Sequence, residues 1–176
     1  MSFYAGRFNL YFTALLALSL LDGCATSSKK KKDEPVGVLR MHVESTANSN
    51  SGGQTVSVLR GTPLAVTIAN EPILTEAQVV KASLFDAPGG YAVAVQFDSI
   101  GTLILEQFST ANLGRHFVIF GQWGTENADG RWLAVPLITK RIGNGILSFT
   151  PDMSRDEAQK WVTGLNHYAK KNDNGQ

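Results

Sequence analysis

Hydrophobic and polar residues alternate along much of this chain, and where alternation fails the period changes to three and four. From 36 to 44, Gly37, Leu39, Met41 and Val43 share one side, and Val36, Val38, Arg40, His42 and Glu44 share the other. That is the period of a half-buried strand, and the first set is expected to face the core. A polar, Gly-rich loop at 46–54 follows, then two short strands at 55–60 and 64–68, separated by Gly61 and Pro63. Leu64, Val66 and Ile68 are expected to share a face. Thr75 and Gln78 have capping-box spacing, which predicts a brief helix before an extended run at 79–85. The Ala87–Gly90 stretch "APGG" predicts a turn, and 91–97 alternates again with Val93, Val95 and Phe97 aligned.

After Asp98 the apolar spacing becomes helical. Ile100, Leu103, Ile104, Gln107, Phe108 and Ala111 predict a helix with those residues on its inner stripe, ended by Gly114. Residues 117–120 and 132–138 are apolar on both faces and bracket "GTENADGR", which predicts a hairpin of interior strands with a long polar loop. Pro136 has no amide donor, so it demands an edge, a bulge or a strand end. Gly143 and Gly145 turn the chain into a strand at 146–149. Ser154 and Glu157 form a second capping box, and Ala158, Trp161, Val162, Leu165 and Tyr168 make the apolar stripe of a closing helix. The expectation is an α+β domain over 36–176: a mixed, mostly antiparallel sheet with two main helices packed on one face.

The first 35 residues have a different character. Residues 8–21 are nearly all apolar behind Arg7, as in a secretory signal peptide. A spanning helix needs about 20 apolar residues, more than this interrupted run offers. Leu21-Asp22-Gly23-Cys24 resembles the lipobox of bacterial lipoproteins. That resemblance implies cleavage after residue 23 and lipidation, by diacylglycerol and a palmitate-type chain, of Cys24, the only cysteine. Asp22 departs from the small residue usual there. Residues 24–35 then read as a Lys-rich tether able to hold the domain up to ~40 Å off the membrane at about 3.3 Å per extended residue. Ala25 leans the expected location toward the outer membrane.

Within the 176 residues, 16 basic and 15 acidic side chains give a formal charge of +1; beyond residue 35 there remain 11 basic and 12 acidic. That balance argues against a nucleic-acid partner. His42, His116 and His167 lie on separate expected elements and read as surface or rim residues. Asp152, Asp156 and Glu157 crowd a helix start, where carboxylates complement the dipole. No nucleophile elbow, phosphate loop, dinucleotide fingerprint or metal-ligand spacing occurs, so no enzyme activity, metal or cofactor is expected. The aromatics of one hairpin are the remaining signal. Phe120, Trp123 and Trp132, with Pro136 at the strand edge, form the candidate partner-binding set.

Residues 91–168 are similar to the periplasmic head domain of the SecD and SecDF protein-export subunits. The resemblance rests on Val95-Gln96-Phe97 and Gly101 at a helix start, then Ser109 through Asn112-Leu-Gly114-Arg115 at its end. Ala134-Val135-Pro136, the glycines at 143 and 145, Phe149-Thr150 and Glu157-Ala158 follow in order, with Ile73 to Glu76 as a further match upstream. Together with the lipobox-like stretch at 21–24, it implies a cell-envelope lipoprotein, facing the periplasm or exterior, whose head-like domain binds an extended polypeptide or an envelope protein. Ser109 stands where the family has threonine, and the family's transmembrane helices and ferredoxin-like base have no counterpart in these residues. A small envelope enzyme, an enzyme inhibitor and a structural subunit of an envelope complex are the alternative functions.

Overall fold

A computed structural model describes residues 34–45, 53–125 and 128–173. The leader, Cys24, most of the tether and most of the 46–54 loop lie outside the described residues. Within them the chain runs β1 (Val36–Val43), β2 (Gly53–Val58), β3 (Leu64–Ala69), β4 (Leu74–Thr75) and a 3-10 turn (Glu76–Gln78). Next come β5 (Val79–Ala87), β6 (Gly90–Phe97), α1 (Ser99–Ala111), β7 (Phe117–Gly124), β8 (Asp129–Ala134), β9 (Ile146–Phe149) and α2 (Arg155–Asp173). The strands divide into a four-stranded sheet ordered β4-β1-β7-β8, a three-stranded sheet ordered β5-β6-β9, and the hairpin β2-β3. Every named ladder is antiparallel, and the α+β class stands.

The alternation read from β1 holds: Gly37, Leu39, Met41 and Val43 are buried. They meet Phe117, Ile119 and Trp123 of β7, Leu133 of β8, and Trp161 and Leu165 of α2 in the main core. Both capping boxes form. Thr75 Oγ1 accepts from Ala77 N (3.3 Å) while Gln78 Oε1 accepts from Thr75 N (3.0 Å). At α2, Glu157 Oε2 accepts from Ser154 N (2.7 Å) and Ser154 Oγ accepts from Glu157 N (3.3 Å). Each reciprocal pair satisfies donors that a helix start leaves open. Trp161, fully buried, donates from Nε1 to Val38 O (2.8 Å), so its ring packs without orphaning its one polar atom.

Two backbone contacts fix where α2 lies. Gly164 and Gly37 bring helix and strand together so closely that a Cβ on Gly164 would run into the Val36 carbonyl and sit 2.6 Å from Gly37 N. Two residues on, Asn166 Oδ1 accepts from Ala82 N (2.8 Å) and its Nδ2 donates to Ala82 O (2.9 Å). The amide therefore occupies the outer edge of β5 as a neighbouring strand would.

Three expectations need correction. On α1 the inner side is Gly101, Leu105 and Ser109, with Ile104 and Phe108 half-buried, whereas Ile100 (64 % exposed) and Leu103 (66 %) face solvent. The stripe is rotated because Gly101 presses on Phe97 and Gln78, and the Ser109 hydroxyl accepts from Ile142 N (2.9 Å). Half of the long polar stretch at 124–131 is strand: β7 and β8 stay paired from Ile119↔Ala134 to Trp123↔Asp129, leaving 125–128 as the connection. His42 is buried, covered by the β2-β3 hairpin and by Trp132, whose ring stands 5.5 Å away edge-on.

Candidate functional site

The four aromatic and proline candidates do not converge. Trp123 shares the alternating inner face of β7 with Phe117 and Ile119, is 2 % exposed, and lies beneath the Arg131 guanidinium at 4.7 Å. So placed, its ring offers almost no surface to a partner. Phe120 and Trp132 face the other way and stack edge-to-face at 5.4 Å, both half-buried. Trp132 packs with Val118 and Val135 against the inward side of the β2-β3 hairpin. That hairpin is tied down at its tip, where Arg60 N donates to Asp152 Oδ2 (2.7 Å) and the guanidinium pairs with the same carboxylate (3.3 Å).

Pro136 stands apart from the aromatics and lines a groove of about 460 Å³. One wall is the chain beyond β8, Pro136 to Thr139; the other is β9, Ile146 to Ser148; the strap 140–144 closes one end. The Pro136 wall continues the four-stranded sheet, since Phe117 N donates to Pro136 O (3.0 Å) and Ile138 N donates to Arg115 O (2.8 Å) around the bridge His116↔Leu137. Proline is tolerated because the bonds its neighbours make need only its carbonyl. The strap is held to α1 by Arg141 with Glu106 and by Ile142 with Ser109. At the opposite end the two walls meet, where Asp152 N donates to Leu133 O (2.7 Å). From that joint the chain runs forward to Leu137 and backward to Ser148, so the walls are antiparallel and splay open.

Charged groups elsewhere are structural. His42 Nδ1 donates to Ala69 O (2.8 Å), and burial holds its pKa below the ordinary imidazole value although that bond opposes the shift. Glu44 Oε2 accepts from both N (3.1 Å) and Nδ1 (2.7 Å) of His116. His167 Nε2 lies 3.7 Å from Glu34. For Asp152 and Glu157 burial alone would raise the pKa. The Arg60 bonds on Asp152, and the Ser154 and Arg131 bonds on Glu157, outweigh it and hold both carboxyls low. Among the described residues no three His, Cys, Asp or Glu side chains are grouped to hold a metal ion. None of these pairs sits in the groove, of which the sequence analysis named only Pro136 as a candidate residue. Its β9 wall is the strand expected at 146–149, which the sequence did not connect with Pro136.

Among the described residues no helix is long and apolar enough to cross a membrane. The family described as SecDF, P1 head subdomain, matches residues 51–167, a span that begins well before Tyr91 and takes in the β2-β3 hairpin. No curated protein sequence matches the chain. Solved structures that share its fold include two of SecDF. One, of "a membrane component SecDF that enhances protein export", is 19 % identical with a TM-score of 0.52, covering 75 % of this chain and 63 % of that one. The other, SecDF in its "Super-membrane-facing form", is 21 % identical with a TM-score of 0.52, covering 74 % of this chain and 19 % of that one. The chain thus spans less than two thirds of the length of either.

Proposed function

The chain belongs to the SecDF P1 head subdomain family, and from that premise we propose that it is a non-catalytic polypeptide-binding module of the cell envelope, held at a membrane through lipidated Cys24. The observation that carries the binding reading is the open groove beside Pro136. It is walled by backbone, by polar side chains from Thr139, Lys140, Arg141, Asn144 and Ser148, and by apolar ones, of which Leu137 (52 % exposed) and Ile146 (40 %) stand open to solvent. Exposed apolar side chains beside open strand backbone suit an extended chain. Pro136 lines the site, while Phe120 and Trp132 stiffen the strand that leads into it. The protein-export setting of the SecDF structures supports an unfolded or extended polypeptide as the ligand, and a periplasm-facing or exterior position as the place of action.

Anisotropy of a fluorescently labelled, chemically unfolded polypeptide tests this directly. The full chain is expected to bind it, and Leu137→Asp to weaken binding by about tenfold, the scale of a lost apolar anchor. Equal binding by wild type and variant would move the site away from the groove. Separately, Cys24→Ser is expected to abolish uptake of labelled palmitate in cells; wild-type protein that matures with residues 1–23 intact would refute the anchor.

A further inference from the structure

How the groove holds a polypeptide follows from the direction of its backbone groups. Phe97 N donates to Gly145 O (2.9 Å), and the register continues through Gln96↔Ile146, Val95↔Leu147 and Ala94↔Ser148. Residues of an antiparallel strand bond to one neighbour and then the other in alternation. Leu147 and Phe149 therefore turn their N–H and C=O groups to β6, and Ile146 and Ser148 turn theirs outward. Asn144 Oδ1 accepts the Ile146 N–H (3.2 Å). The Ser148 N–H and C=O and the Ile146 C=O have no protein partner among the described residues.

The opposite wall has the same property. Because the bonds Phe117 N to Pro136 O and Ile138 N to Arg115 O bracket Leu137, its N–H and C=O point away from β7, toward the groove it lines. Two unpaired strand edges thus face one space. The edges part from the Leu133–Asp152 joint, and Leu137 and Ser148 are each four residues from it, so each rim extends ~13 Å at about 3.3 Å per residue. That length accommodates about four residues of an added strand. The lining includes two cations, Lys140 and Arg141, and no carboxylate. Arg141 is engaged by Glu106, so Lys140 is the cation left to meet a ligand.

We infer that the groove binds an extended acidic polypeptide segment by strand addition, with main-chain bonds to Ser148 and Leu137 and a carboxylate beside Lys140. Because the rims are antiparallel, the segment runs antiparallel to one and parallel to the other, joining the four-stranded and three-stranded sheets through itself. This rests on the polypeptide-binding reading and adds its mode and charge preference.

The test uses the full chain and labelled peptides of alternating Val and Thr with one central Asp, the same peptide with Lys, and an Asp peptide N-methylated at alternate amides. The Asp peptide is expected to bind best and the N-methylated one at least about tenfold more weakly, the effect of losing one or two main-chain bonds. Ser148→Pro removes the outward donor but spares the bonds to β6, and is expected to weaken the Asp peptide by a similar factor. Ser148→Ala is expected to leave it unchanged, and Lys140→Glu to reverse the Asp-over-Lys preference. If Ser148→Pro melts early, the N-methylated peptide decides alone. Binding indifferent to N-methylation overturns strand addition while leaving the polypeptide reading intact. Failure of every peptide and of unfolded protein overturns both. A concentration-dependent dimer that Ser148→Pro abolishes would assign the edge to a second copy and overturn the inference.

Discussion

Gly164→Ala is expected to destabilise the protein although alanine is the better helix former. In a helix interior the exchange alone contributes about 1 kcal/mol of stability. Here the new Cβ would meet the Val36 carbonyl and lie 2.6 Å from Gly37 N, where ordinary contact begins at 3.4 Å. The obstacle is strand backbone, which cannot turn aside as a side chain can, and the Val36 carbonyl oxygen lies closer still than Gly37 N, so α2 must retreat by roughly 1 Å. A gap of that size forfeits about a quarter to a half of the dispersion energy of each contact it opens. The contacts at stake are those of Trp161 and Leu165, both 0 % exposed, and the bond from Trp161 to Val38 O. Overpacking costs about 1 to 3 kcal/mol, and backbone crowding belongs at the upper end, so the net loss is about 2 kcal/mol after the helix gain. Urea unfolding should show a lower midpoint at unchanged slope. Gly37→Ala forces the same retreat, because its Cβ would meet Leu165 N and lie 2.8 Å from Gly164 Cα. The double variant should therefore lose less than the sum of the two. A Gly164→Ala protein that is more stable than wild type by the helix term alone would refute the close crossing.

Trp161→Ala should cost about 3 to 5 kcal/mol in the same assay, since it opens a cavity in the main core. Leu105→Ala should cost about 2 to 5 kcal/mol and Leu103→Ala no more than about 0.5, which checks by denaturation which side of α1 faces inward. Stability should fall as pH drops below the ordinary histidine value of 6.5, because the unfolded chain protonates His42 while the native state, whose pKa is lowered by burial, does not. Melting curves of His42→Gln should lack that part of the slope. A further loss should appear at lower pH, as acidification through their depressed native pKa values protonates Asp152 and Glu157, whose stabilisation is complete only above the ordinary carboxylate range.

Elements governed by local chemistry were legible from the residues. The alternation of β1, the two capping boxes, the turn before β6 and the stripe of α2 each depend on neighbours within a few positions, and each formed where expected. What escaped depends on contacts distant in sequence. The inner side of α1 pivots on a glycine and a serine, residues that a hydrophobic count passes over. Gly101 is buried because Phe97 and Gln78 come close, and Ser109 because Ile142 needs an acceptor. His42 reads as a rim residue until the β2-β3 hairpin is laid over it. Trp123 could have been placed inside by extending the alternation of Phe117 and Ile119, had the strand been carried through Gly124 rather than stopped at Phe120. The groove could not have been found this way, since its two walls come from different sheets.

The Asn166 amide on Ala82 has a consequence for assembly. Stacking of sheets into a fibre requires a donor edge and an acceptor edge on every copy, so that each unit can be extended at both ends. In the three-stranded sheet, one margin is plugged at Ala82 by the chain's own side chain, and β9 is the other. At Ala82 a second copy therefore finds no free main-chain pair, so extension through this sheet is hindered at one margin while the β9 margin stays available to a ligand strand.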